Sequence, residues 1–235
     1  MLHIKFQTSD LVPPPYAHSI ELIAKWSEQD LPQVDFQLTY LGREELTDEE
    51  ITEEGFTGQD DLELHVQLPE VWLKELQRIS KFQDSSPKTH LEEQEDFWEI
   101  QLADGAPFYP AQAPLWSAFL QEIQQAIFEV GGMEKPLHLL LSRSGKELFQ
   151  VHASFANRTL WYEHPNQVKQ DLPWNKLNSL LREVYSGEFL YEDATQQLPA
   201  KPGMYLSLGD DWWFEVGKSY LNSPRRVLKI FGISE

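Results

Sequence analysis

Leu2, Ile4 and Phe6 alternate with His3, Lys5 and Gln7, which is the two-residue period of a strand with one buried face. The alternation returns at Ile20, Leu22, Ala24 and Trp26, and again at Val34, Phe36, Leu38 and Tyr40. Three such runs in succession predict an antiparallel sheet with one packed and one wet face, because a parallel sheet is covered on both faces and its strands read as unbroken apolar runs. Leu62, Leu64, Val66 and Leu68 add a fourth strand. Phe97 to Leu102 add a fifth, followed by a turn at Asp104-Gly105.

The period then changes to that of a helix. Leu68 to Phe82 (LPEVWLKELQRISKF) and Leu172 to Tyr185 (LPWNKLNSLLREVY) both open with Leu-Pro, and proline suits the first helical position, where its missing N–H costs nothing. Trp72, Leu76 and Ile79 form one stripe, and Trp174, Leu177, Leu181 and Val184 the other. A longer helix starts at Pro114, carries Trp116, Phe119, Leu120, Ile123 and Ile127 on one face and stops at Gly131-Gly132. Its apolar face requires a sheet to pack on. Beyond it, strands are expected at Leu137 to Leu141, Glu147 to Phe155 and Thr159 to His164. A hairpin is expected from Met204 to Val216 around Gly209-Asp210, and a last short helix begins at Ser223 and Pro224.

Leu73 lines up with Leu177, Leu76 with Leu180 and Arg78 with Arg182, while MLHIKF at the start resembles PLHLLL at 136–141. The pattern suggests an internal duplication of a βββα-type unit. The resulting expectation is an α+β fold with helices on one face of antiparallel sheet. It comprises a first half, 1–132, with an insertion at 42–62, and a second half, 133–235, joined closely through GGMEKP.

The insertion is acidic: nine carboxylates lie between Glu44 and Asp61. Thr47 is placed to cap a short helix there, with carboxylates near its positive end. A calcium loop would need alternating Asp/Asn ligands, a central glycine and a terminal glutamate in register, which this stretch lacks. A solvated insertion fits better. The polar run QDSSPKTHLEEQED reads as a surface loop.

Charge narrows the partners. Nineteen basic against thirty-eight acidic residues give a net charge of -19, which disfavours nucleic acid and anionic membranes and favours a basic protein. No run approaches the ~20 apolar residues that span a bilayer, and the N-terminus lacks a signal peptide's apolar region, so a cytoplasmic location is expected. The absence of cysteine removes disulfides, thiolate catalysis and cysteine metal sites. No catalytic motif is present. Gly217-Lys218-Ser219 is not a phosphate loop, because the position five residues before Gly217 holds Trp212 and not glycine. No cofactor is implied.

Two constellations remain. If Leu137, Leu139 and Leu141 face Ala153, Val151 and Phe149, His138 stands opposite His152 on the other face, where the pair would bind a metal with Glu163 or serve as acid and base. That register needs a three-residue loop with Lys146 at the position glycine prefers. The second is aromatic and acidic: Trp161, Tyr162, Trp212 and Trp213 with Glu163, Asp210, Asp211 and Glu215. Strand alternation requires one of Trp212 and Trp213 to be less buried than the other, and an exposed tryptophan ringed by carboxylates would anchor a basic partner. The favoured reading is a non-enzymatic binding protein of the inhibitor or immunity kind. The alternatives are a hydrolase using His138 and His152, and a subunit that associates with itself.

Overall fold

A computed structural model describes residues 1–27, 29–82, 88, 90, 94–144 and 147–233. The fold is α+β, with antiparallel sheets and helices packed on one face, and it divides into two compact units, Met1–Glu134 and Lys135–Glu235. Among the described residues, no helix is long and apolar enough to cross a membrane.

In the first unit, β1 (Leu2–Gln7), β2 (His18–Lys25), β3 (Gln33–Tyr40) and β4 (Leu62–Gln67) form a meander, and β5 (Phe97–Leu102) returns beside β1. The register sets Leu2, Ala24, Val34 and Val66 in one row and Ile4, Leu22, Phe36 and Leu64 in the next. One face is therefore continuous and apolar. Over it lie α2 (Val71–Ser80), burying Trp72, Leu76 and Ile79, and α3 (Ala113–Val130), burying Trp116, Phe119, Leu120, Ile123, Ala126 and Ile127. Full burial of each such side chain contributes about 1.5–3 kcal/mol. The opposite face bears a ladder of cross-strand pairs, Lys5–Glu99 at 3.1 Å, His3–Glu21 at 2.7 Å and His65–Asp35 at 2.8 Å. Of the expected loop 83–96, only Lys88, His90 and 94–96 lie within the described residues.

The acidic insertion is exposed, yet it is folded. Its helix α1 (Asp48–Glu53) begins in a capping box: the Thr47 hydroxyl accepts from the Glu50 N–H, and the Glu50 carboxylate accepts from the Thr47 N–H. Those bonds hold the Glu50 carboxyl below the usual carboxylate range. Arg43 organises the rest. Its guanidinium lies over the rings of Tyr40 (3.6 Å) and Phe56 (4.7 Å), and it donates to Asp60 Oδ2 (2.7 Å) and to the Thr57 carbonyl (2.6 Å).

In the second unit the meander is β6 (Leu137–Arg143), β7 (Glu147–Ser154), β8 (Thr159–Glu163) and β9 (Gln170–Leu172). After α4 (Leu177–Tyr185) and the short β10 (Glu188–Phe189) come β11 (Met204–Ser207), β12 (Phe214–Glu215), β13 (Tyr220–Leu221) and α5 (Pro224–Ile230). The main sheet runs β12-β11-β6-β7-β8-β9, and β10 pairs with β13 separately. Leu139, Leu141, Val151 and Phe214 pack against Leu177, Leu180 and Val184 of α4 and against Val227 and Ile230 of α5. Ser223 starts α5, but its side chain makes no capping bond.

Both units thus have a four-strand meander, a helix, a strand returning beside the first strand, and a helix. The likeness is one of order. Of the residues that match between the two Leu-Pro helices, only Leu76 and Leu180 are buried in both, since Leu73 and Arg182 are not. The duplication is unconfirmed. The second stripe also differs from expectation: Leu180 is buried, while Trp174 and Leu181 are half-buried. A 3-10 turn at Trp174–Lys176 precedes α4, and its tighter winding puts Trp174 out of phase with the helix that follows.

Candidate functional site

The β6–β7 register places His138 opposite His152, and Arg143 opposite Glu147 leaves three residues in the connection. Ser144 opens it at φ 57, while Gly145 and Lys146 lie outside the described residues. The two imidazole rings are 6.0 Å apart. Each has other company. His138 Nε2 is 2.9 Å from Gln150 Oε1, and His152 stacks on Trp161 at 5.0 Å and 10°. Glu163 stands opposite Gln150, one row away from the pair. Among the described residues, no three His, Asp or Glu side chains are grouped to hold a metal ion.

The expected aromatic set is spread out. Trp161 and Tyr162 alternate on β8, Trp161 beside His152 and under the Lys169 ammonium (4.7 Å), Tyr162 stacked on His164. β8 and β12 are four places apart in the sheet, about 19 Å at roughly 4.8 Å per step. Glu215 is paired with Lys218 at 2.5 Å. Trp212 and Trp213 are both half-buried, and Trp212 packs against the core of the unit. The strand begins only at Phe214, and left-handed Gly209 (φ 85) and Asp211 (φ 66) turn the chain before it. Gly209 is also sterically required: a Cβ there would lie 2.7 Å from the His138 carbonyl oxygen.

A different cluster forms around Asp210. Trp213 and Thr195 exchange backbone hydrogen bonds at 2.7 and 3.1 Å, tying the segment after β10 to the β11–β12 hairpin. This brings Tyr191 edge-on to Trp212 (6.0 Å, 82°) and to Phe214 (5.0 Å, 89°). The Tyr191 hydroxyl donates to Asp210 Oδ2 at 3.3 Å. Tyr185, at the end of α4, reaches the same carboxylate electrostatically. Burial, and then the Asp210 charge, push both phenols above their ordinary range, and Tyr191 is raised further by its bond to Asp210. Both are therefore neutral near pH 7.

Phe214 is fully buried and forms the base, whereas Tyr185 and Tyr191 are 59% and 48% exposed. Asp210, Asp211, Glu192 and Asp193 are exposed as well. Exposed phenol rings and carboxylates thus lie together at this surface, a composition that attracts cations. Of the residues expected from sequence, Trp212, Asp210 and Asp211 fall in this cluster. Tyr185 and Tyr191 were missed, although the alternation of acid and aromatic in Gly187 to Asp193 (GEFLYED) was the available signal.

Comparison with known proteins returns no match: no family model, no curated protein and no solved structure is similar to this chain.

Proposed function

We propose that the protein is a non-enzymatic binding module, of the inhibitor or immunity kind, whose second unit receives a basic segment of a protein partner. The observation that carries the reading is the convergence of Tyr191 and Trp212 on Asp210. Tyrosine and tryptophan dominate binding hot spots because they offer large rigid area with a polar tip. A lysine or arginine entering between these rings gains cation–π attraction of about 0.5–2 kcal/mol together with a charge-assisted bond to the carboxylate. The net charge of -19 would speed encounter with a basic partner over longer range.

Calorimetric titration of the full chain with a lysine-rich peptide, at low and high salt, tests the reading. Saturable binding at low salt that weakens steeply at high salt is expected, because exposed charges are screened within about 8 Å at physiological ionic strength. Absence of binding at low salt, or binding indifferent to salt, would count against it.

A further inference from the structure

A second recess in the Lys135–Glu235 unit has chemistry opposite to that of the acidic aromatic cluster. It lies where the C-terminal end of α5 and the start of α4 meet β9, and it encloses about 270 Å³. Leu172, Pro173, Leu180 and Ile230 supply apolar wall, joined by Tyr162. Leu180 and Ile230 belong to the core, at 8% and 6% exposure, so these parts of the wall are fixed by packing. Tyr162 is held by its hydroxyl bond to Gln170 and its stack on His164, and His164 Nε2 in turn lies 2.7 Å from the Phe231 carbonyl.

The polar rim is what defines the occupant. Lys176 and Lys229 both line the recess, and neither forms an ion pair among the described residues. Lys5, Lys25, Lys88, Lys169 and Lys218 find carboxylates, whereas the two rim ammonium groups stay available to an incoming anion. One carboxylate, Glu183, shares the rim, leaving a local charge of +1. A polyanion would be repelled by Glu183 and a cation by the two ammonium groups, whereas a single carboxylate balances the site. The apolar wall calls for an apolar body behind it, since rim ion pairs alone bind weakly.

We propose that this recess binds a small amphipathic monocarboxylate, its chain against Leu172, Leu180 and Ile230 and its head between Lys176 and Lys229. The volume equals that of about nine waters at roughly 30 Å³ each, just below the ~300–1,000 Å³ of clefts that take drug-sized ligands. A short-chain fatty acid is therefore the natural size.

Octanoate is the probe, titrated calorimetrically into the full chain, with octylamine as the charge-reversed control and the double variant Lys176→Glu/Lys229→Glu alongside. Circular dichroism confirms that the double variant is folded, which is expected because both side chains are exposed. If that variant fails to fold, the single variant Lys229→Gln at the exposed rim takes its place. The expected result is saturable octanoate binding that falls at least about tenfold in the variant, with octylamine bound at least tenfold more weakly than octanoate. Non-saturable octanoate binding, a smaller loss in the variant, or equal uptake of the amine would overturn the proposal.

Discussion

The two units share an order of elements, yet they spend their extra chain differently. Unit one inserts between β3 and β4, and one guanidinium sits at the centre of that insertion: Arg43 is sandwiched with Tyr40 and Phe56 and bonded to Asp60, Tyr16 is hydrogen-bonded to Glu54, and the remaining carboxylates are exposed. Unit two inserts between α4 and β11, and there the aromatic rings converge on a carboxylate with no basic side chain bonded to it among the described residues. Acid-rich sequence thus has two outcomes. A central cation ties Asp60 inward in the first insertion, whereas in the second Asp210 is exposed beside exposed tyrosines.

The comparison can be broken most forcefully at Arg43. Arg43→Met should destabilise the protein by about 2–4 kcal/mol, since it removes three charge-assisted bonds, to Pro15, Thr57 and Asp60, and a cation–π sandwich and leaves Asp60 without its guanidinium. Urea unfolding reads this, and a loss under about 0.5 kcal/mol would mean that the Thr47 capping box and buried Ile51 hold the insertion alone.

Gly187→Ala probes the turn between α4 and β10 in unit two. A Cβ would fall 2.4 Å from Tyr220 Cε2 and 2.9 Å from Asn222 Cβ, and Tyr220 is buried, its hydroxyl donating to the Val184 carbonyl at 2.7 Å. Overpacking there should cost about 1–3 kcal/mol and weaken peptide binding, because Tyr185 and Phe189 flank the glycine. Thermal melts and calorimetry of the variant check both effects.

Asp60→Asn sharpens the Arg43 account through pH. Bonds from the Thr57 hydroxyl and amide, and then from Arg43, hold the Asp60 carboxyl below its ordinary value. A lowered folded pKa gives stability that is fully present above the unfolded value of about 3.9 and lost as pH falls through the folded value. The gap in melting temperature between wild type and variant should be widest near neutrality and close below about pH 4. A gap independent of pH would contradict the assignment.

The smallest effect is expected on the wet face of unit one. His65 is raised above its ordinary value, mainly by its bond to Asp35 and further by the charges of Asp35 and Glu63. Here the sign reverses: the contribution is present below about pH 6.5 and lost as pH rises through the folded value. His65→Gln should shift the melting temperature slightly on the acid side of that value and not on the alkaline side. A larger shift in alkali would remove the ion-pair explanation.

Much of the fold was legible because its period is local. The alternations in β1 to β4 and the stripe of α3 are set by one face packing and the other meeting water, and Phe97–Leu102 matched the expected strand end to end. The strands β9, β10 and β13, two or three residues each, have no period to read and exist because of their partners. The His138–His152 pairing was legible because the apolar alternation of two adjacent strands fixes register. Asp210 was expected, but its pairing with Tyr191 was not, since the two come together through the Thr195–Trp213 bridge, a tertiary contact that the acid and aromatic run around Tyr191 does not by itself specify. Arg43 was overlooked among its acidic neighbours because charge counting cannot tell a buried guanidinium from an exposed one.

The most direct test titrates one lysine-rich peptide into three full-length proteins: wild type, Tyr191→Ala/Asp210→Asn, and Glu44→Gln/Glu45→Gln/Glu49→Gln. The unit-two variant should lose at least about tenfold in affinity, and the unit-one variant should stay within about threefold of wild type with a shallower salt dependence. The opposite ranking, with the insertion carrying the affinity and the Asp210 cluster dispensable, would contradict the account.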